Sequence, residues 1–260
     1  MSSGRRFRSE ARHADAGNGV LTRALDRFGG GPVDFVRRVV FKTIVGPRRY
    51  RAETGYDAQR FWGDRFRKYG TALRGSGDEG LSEEQNKVVY EKAAATLVEA
   101  VERAGVDLAR ARVVDVGCGP GFFTGVLHAN GAVAYTGIDI TDALFPELEA
   151  RFPGYRFVRR DVSSDSLGET WDLVMMIDVA EHIVDPAAFD RAIANLAAAV
   201  APGGTLVIGP LLDRSAKHLF YVRFWSTQDV AERLDGFEHL EDLPFRNGSL
   251  MVFRRPSPSA

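Results

Sequence analysis

A single cysteine, Cys118, stands among 260 residues. It excludes an internal disulfide and any cysteine-based metal cluster, and it points to a reducing, cytoplasmic setting. No uncharged apolar run approaches the ~18 residues of a membrane span. The first thirty residues lack the apolar stretch of a secretory signal. Charge imbalance is absent as well: the formal net charge is −1, so the chain as a whole carries no bias toward nucleic acid or acidic substrates. No internal repeat is visible. What is there is an ordinary globular mixture, 45% hydrophobic and 27% charged, enough to bury a core of normal size.

The even balance hides an asymmetry. Arg5 to Arg51 holds twelve Lys/Arg against four Asp/Glu, a local excess of +8, so the remainder carries −9. Residues 1–31 are polar, Gly-rich and Arg-rich, and read as a loosely attached, disordered leader. In residues 33–45 (VDFVRRVVFKTIV), Val36, Val39, Val40, Thr43 and Ile44 fall at helical spacing with three basic residues interleaved. The pair Gly46-Pro47 is expected to end that helix. This stripe admits three readings: peripheral contact with an anionic membrane, packing of Phe35, Val39 and Phe41 on the rest of the fold, or a homodimer contact.

Residues 56–70 predict a second amphipathic helix with Phe61, Trp62, Phe66 and Tyr69 on its apolar side. Residues 82–105 predict a third, with Ser82 as N-cap and Gly105 as its stop. From 112 onward, short β-rich runs alternate with helical runs. Strands are expected at 112–116, 133–138, 155–159, 171–177, 204–208, 237–243 and 249–254, and helices at 121–130, 142–151, 186–200 and 227–234. Such alternation means a mostly parallel sheet covered on both faces. The organisation read from the chain is a basic extension (1–55), a helical lid or cap (56–105) and a ligand-binding α/β domain (106–260).

Five signals carry the chemistry. Val113-Val114-Asp115-Val116-Gly117-Cys118-Gly119-Pro120-Gly121 is an apolar strand running into a Gly-rich turn and a helix. The helix start offers free N–H groups to a carboxylate such as that of a methionine moiety. The glycines do not keep the G-x-G-x-x-G spacing of a dinucleotide fold, and no G-K-[ST] of a phosphate loop follows. Asp139, at the end of the next strand in Tyr135-Thr136-Gly137-Ile138-Asp139, can accept from both hydroxyls of a ribose. Asp161-Val162 suits an adenine ring, the carboxylate for its amine and the valine for its face. Trp171 through Asp178-Val179-Ala180-Glu181-His182 puts polar groups where a strand empties into the ligand crevice. Ala201-Pro202-Gly203-Gly204 reads as a helix–turn–strand connection.

In this order and spacing, those residues resemble class I S-adenosylmethionine-dependent methyltransferases over roughly residues 82–254. The stretch His218–Trp225 with Ser226-Thr227-Gln228-Asp229 is similar to the substrate side of bacterial natural-product and glycan methyltransferases. The resemblance implies an α/β, Rossmann-like, seven-stranded, mostly parallel sheet with a reversed last strand at 249–254, helices on both faces and a helical N-terminal extension. It implies S-adenosylmethionine as cofactor, contacted at Asp115, Gly117, Cys118, Gly119, Gly121, Asp139, Ile140, Asp161, Val162 and Asp178. It also implies methyl transfer to a hydroxyl or amine of a small molecule or glycan.

Within that frame, His182 is the candidate general base, because a neutral imidazole suits proton removal near pH 7. His218 is its rival, and His182 would otherwise shape the pocket floor. Arg65 or Tyr69 could reach the methionine end from the cap. Phe220, Tyr221, Phe224 and Trp225 either wall a substrate site or pack on the core. Cys118 is read as a small residue in a crowded turn rather than a reactive thiolate. Asp178, Asp185 and His182 have commonplace spacings, and no metal site is assigned. A nucleic-acid methyltransferase is disfavoured, since no Asp/Asn-Pro-Pro-Tyr follows the fourth strand and the body of the domain is acidic. The remaining rival functions are a protein methyltransferase, a non-catalytic S-adenosylmethionine-binding module and a nicotinamide oxidoreductase.

Overall fold

The computed structural model describes residues 32–258; the leader expected over 1–31 lies outside them, as does part of the basic excess. The helical N-terminal part comprises α1 (Pro32–Val40), a π-helical segment (Phe41–Val45), α2 (Gly46–Arg49), α3 (Ala58–Tyr69), the short α4 (Leu73–Ser76) and α5 (Glu83–Arg103). The α/β part then runs β1 (Arg112–Val116), α6 (Phe122–Ala129), β2 (Ala134–Asp139), α7 (Phe145–Arg151), β3 (Arg156–Arg159), β4 (Trp171–Ile177), a 3₁₀ turn (Ala180–His182) and α8 (Pro186–Ala199). It closes with β5 (Val200–Leu211), β6 (Ala216–Leu219), β7 (Val222–Phe224), α9 (Thr227–Arg233), β8 (Glu238–Phe245) and β9 (Gly248–Arg254).

Seven strands form one sheet in the order β3-β2-β1-β4-β5-β9-β8. Only β9 is reversed, pairing antiparallel with β5 and β8. The chain leaves β1 toward β2 and β3, then returns to β4 and β5 on the other side. The gap above β1 and β4 is therefore the topological switch point, where open α/β sheets hold their ligands. Strand β4 explains its own place: Leu173 to Ile177 is apolar and buried throughout, as a strand covered on both faces must be. One core layer joins α5, α6 and α7 to the sheet through Leu97, Leu127 and Leu148. The other seats α8 and α9 through Phe189, Ile193 and Val230.

The helix ends follow the local chemistry. Ser82 and Gln85 form a reciprocal capping box on α5, with both bonds near 3 Å (2.8 and 3.1 Å). Asp185 caps α8 ahead of Pro186.

Four expectations need correction. Gly46-Pro47 does not stop the first helix. The backbone widens into a π-helical turn that passes into α2, and Pro47 sits at its start, where a missing N–H costs nothing. The segment 142–151 is helical only from Phe145, since Thr141 and Asp142 are held in turns. Ala201-Pro202-Gly203-Gly204 does not precede the strand but lies within it: the strand begins at Val200 directly after α8 and extends to Leu211, and the turn survives as a bulge, the pairing with β4 skipping from Val200 to Thr205 and Gly203 taking φ +75°. Residues 216–224, for which no strand is expected above, form a small antiparallel hairpin, β6–β7.

The stripe of α1 does not pack on the fold. Val33, Phe35, Val36, Val39, Val40, Ile44 and Val45 are all at least 40% exposed. Phe41 alone turns inward, against the aromatic cluster of Tyr50, Phe61 and Tyr221.

Candidate functional site

A cleft opens above the C-terminal ends of β1, β2 and β4. The loop after β1 forms its floor. Gly117 and Cys118 both donate to the Ile138 carbonyl, at 2.6 and 3.0 Å, which folds the loop onto β2. Gly117 sits at φ +83°, and a Cβ there would collide with Val179. Gly119, at φ +47°, faces the open cleft. A Cβ there would point into the space between Phe66 and the Gly117 carbonyl, so a bare backbone leaves that room for a ligand.

Asp139 closes the end of β2. Its Oδ2 accepts from the Gly119 amide at 3.0 Å and its Oδ1 from the Thr141 amide at 3.1 Å. Burial nonetheless pushes its carboxyl up to about 6, the amides of Thr141, Gly119 and Ile140 pulling the other way. A desolvated acceptor at this place is suited to paired hydroxyl donors. Ile140, Asp161 and Val162 continue the same wall. Asp161 Oδ1 is engaged by the amide and hydroxyl of Ser163, at 2.8 and 2.7 Å, which fixes the carboxylate beside buried Val162.

Two of the expected contact residues stand behind the wall rather than in it. Asp115 is buried and accepts from the Tyr135 hydroxyl at 2.8 Å; burial pushes its carboxyl up to about 7. Gly121 opens α6 packed against Leu148. Cys118 lies in the wall, but burial drives its thiol well above the ordinary range. It is therefore a thiol, as a small structural residue should be.

Beyond β4 the cleft changes character. Val179, His182 and Ile183 line it. The Nδ1 atom of His182 lies 2.9 Å from the Tyr221 carbonyl. A carbonyl only accepts, so Nδ1 carries the proton and Nε2 keeps its lone pair. Burial lowers the imidazole to about 4, so it is neutral at pH 7. Its ring packs on Trp62 at 4.7 Å between centroids. His218, the rival base, is exposed on the β6–β7 hairpin against Phe224 and does not line the cleft.

The cap is aromatic. Tyr56, Trp62 and Phe66 from the α3 region and Tyr90 from α5 roof the cleft. Arg65 and Tyr69 do not reach in. Arg65 bridges Glu79 at 2.9 Å and donates to the carbonyls of residues 74, 75 and 77, and Tyr69 donates to Glu79. Both organise the loop between α3 and α5. Tyr221 stacks near Phe61, and Trp225 lies flat on Phe189 at 3.8 Å. The hairpin aromatics thus pack on the cap and core and act on the site through its lining: the Tyr221 carbonyl and ring hold His182, and Trp225 Nε1 donates to the Ile183 carbonyl at 3.1 Å.

Three participants give no signal in the sequence. Ser76 and Arg160 line the cleft, and Arg246 pairs with Asp178 across 68 positions of chain. Next to that pair, Glu181 is half-buried with Oε2 unpartnered. Burial pushes its carboxyl up to about 8.

A family model described as a methyltransferase domain matches residues 89–248. The ubiquinone biosynthesis O-methyltransferase of Methylococcus capsulatus is 36% identical over 121 residues, 44% of this chain and 49% of that protein. The chain thus spans about half the length of the curated relatives it matches. Among solved structures, the N-methyltransferase NodS of Bradyrhizobium japonicum, in complex with S-adenosylhomocysteine, superposes with a TM-score of 0.55 at 20% identity. That match covers 74% of this chain and 99% of NodS. The [4+2]-cyclase SpnF superposes at 0.59 with 18% identity, covering 80% and 98% of the two chains. At such identities these two likenesses establish the Rossmann-like fold.

Proposed function

Given that the chain belongs to the methyltransferase-domain family, whose model spans 89–248, we propose that it transfers a methyl group from S-adenosylmethionine to a hydroxyl, or an amine, of a small molecule or glycan. The observation that carries this reading is the cradle itself: a bare Gly117–Gly119 loop after β1 facing Asp139 at the end of β2, beside the switch point of the sheet. Fold alone would not decide the chemistry. The donor set does fit the cofactor. Gly117, Cys118 and Gly119 would take the methionine end, Asp139 and Ile140 the ribose, and Asp161 and Val162 the adenine. Asp115 and Gly121 would support that loop from behind, and Asp178 would face the amino-acid group.

When bound, the cofactor supplies a sulfonium methyl that is already electrophilic. The chain's task is then to hold the acceptor in line and exclude water, which can contribute ~7–11 kcal/mol. The aromatic cap over residues 56–105 would close the cleft for this purpose. His182 Nε2 would receive the proton of a hydroxyl acceptor. Isothermal titration should show S-adenosylmethionine and S-adenosylhomocysteine binding and NAD not binding; tighter binding of NAD would overturn the cofactor reading. Incubation with cell extract and S-adenosylmethionine should yield a product heavier by one methylene.

The exposed stripe of α1 extends this proposal to where the acceptor is met. Val36, Val40 and Ile44 lie open to solvent, with Arg37, Arg38 and Lys42 interleaved. No helix among the described residues is long and apolar enough to cross a membrane. A basic amphipathic segment of this kind fits the surface of an anionic bilayer, each cation adding ~1 kcal/mol. The full chain should sediment with phosphatidylglycerol vesicles at low salt and release at high salt. Val36→Glu with Val40→Glu should stay in the supernatant. If the original chain ignores vesicles but dimerises through the same positions, the stripe is a dimer contact instead.

A further inference from the structure

Among the described residues, only two that are not glycine adopt positive φ: Asp178 at +58° and Arg246 at +53°. They are bonded to each other, Arg246 Nη2 donating to Asp178 Oδ2. Each conformation is strained for a side chain with a Cβ and persists only where its surroundings impose it. Arg246 opens the two-residue loop between β8 and β9, Phe245 facing Gly248 across it. Positive φ at the first loop residue is a position that glycine fills without strain. An arginine stands there instead, and its side chain is spent inward. The guanidinium lies 4.5 Å from the Tyr90 ring centre and 5.4 Å from Phe245. Both members of the pair are only 16% exposed.

We propose that Arg246 is a positioning residue for cofactor binding, turning Asp178 toward the cleft and keeping its carboxylate charged for the ammonium group at the methionine end. This rests on the cofactor reading above. Asp178 lines the cleft, and Arg246 does not, so the arginine acts through the aspartate. Oδ2 is occupied by the guanidinium, the one side-chain hydrogen bond found to this carboxylate among the described residues.

Electrostatics supports the same arrangement. Three ionisable groups face Asp178: Arg246 from the hairpin, Glu181 from the turn after β4, and Tyr90 from α5. Burial raises both carboxyls, and Arg246 opposes the rise on each. Two carboxyls this close in a dry site do not both ionise readily. The guanidinium bonds Asp178 and leaves Glu181 Oε2 without a partner. It thereby assigns the negative charge to Asp178 and leaves the proton on Glu181. Without Arg246, Asp178 would hold its own proton to higher pH.

The test is titration of the full chain with S-adenosylhomocysteine at pH 6 and pH 8. Arg246→Met keeps the bulk over Tyr90 but removes the charge. Its affinity should fall ~10-fold at pH 6, as expected for a lost charge-assisted contact, and recover most of that loss at pH 8. Arg246→Lys keeps a cation and should show only the pH dependence of the unsubstituted chain, against which the loss in Arg246→Met is read at each pH. Asp178→Asn should bind weakly at both pH values. A loss in Arg246→Met that is equal at the two pH values would mean a merely structural arginine and overturn the proposal. So would an Asp178→Asn variant that binds normally, even if Arg246→Met fails to fold. Absence of binding by the unsubstituted chain would instead overturn the cofactor reading on which the proposal stands.

Discussion

Replacing His182 by alanine is expected to lower turnover of a hydroxyl acceptor by ~10²–10⁴ while S-adenosylhomocysteine binds nearly as before. The geometry behind this is specific. The Tyr221 carbonyl fixes the proton on Nδ1, and Trp62 holds the ring edge-on at 4.7 Å, so Nε2 is an acceptor whose direction is set by both partners. With the imidazole lowered to about 4 by burial, it is neutral across pH 5 to 8, and His182 should add no acidic limb to the turnover profile in that range. His182→Asn separates the two roles the residue could have. Its amide can still donate to Tyr221 but offers no basic lone pair, so the loss should match that of alanine. If asparagine restores turnover, or if alanine costs less than tenfold, His182 only shapes the wall beside Trp62. An amine acceptor that arrives neutral needs no base, and with such an acceptor the same variants should be nearly silent.

The glycine loop and the acids after the second and fourth strands were legible because each depends on local order: strand, tight turn, helix, with a carboxylate at a strand end. Asp139 lies on the floor of the cleft opposite Gly119, where strand order alone placed it. The reversed β9 was expected only from the family resemblance, and it is reversed, pairing antiparallel with β5. The π-helical turn at Phe41–Val45 was not, because a proline after glycine ordinarily reads as a stop, yet here it opens a further helical turn. The hairpin at 216–224 was missed because its aromatics suit a helix, a loop or a strand equally. Phe220 and Tyr221 form the turn of that hairpin and pack against Phe61, a contact that only the tertiary fold supplies.

The site residues that escaped were those whose role arises from distance in the chain. Arg246 meets Asp178 only because β9 inserts between β5 and β8 and carries the hairpin tip over the end of β4. Nothing near Asn247 in the sequence announces it. Arg65 and Tyr69 erred in the opposite direction. Their helix was placed correctly, but Glu79 and the carbonyls of the following loop claim them before they can reach the cleft. A residue's helix face can be read from spacing, whereas its partner is settled by which unsatisfied groups the tertiary fold brings nearest.

Asp139→Asn is expected to weaken S-adenosylhomocysteine binding by ~10–100-fold and to remove a pH dependence that the unsubstituted chain should show. Folding lifts the Asp139 carboxyl from 3.8 to about 6, chiefly by desolvation. Between those values the folded chain holds a proton that the unfolded chain has released. Stability from this group therefore falls as pH rises from about 4 to about 6, by an amount on the order of 3 kcal/mol once complete. Hydroxyl donors from a ribose favour the charged form and offset part of that cost, so cofactor affinity should increase as pH rises through 6. Asparagine cannot ionise. Its affinity should be low and flat over the same interval, and thermal melts of the empty protein should lose part of their decline between pH 4 and 6. Asp115, lifted to about 7 beneath the loop, remains in the variant and contributes a decline of its own at higher pH, which separates the two carboxyls in the same titration. An Asp139→Asn chain that binds as tightly as the original would place the ribose elsewhere in the cleft. A variant that binds weakly yet keeps the full pH dependence would transfer the titration to another group.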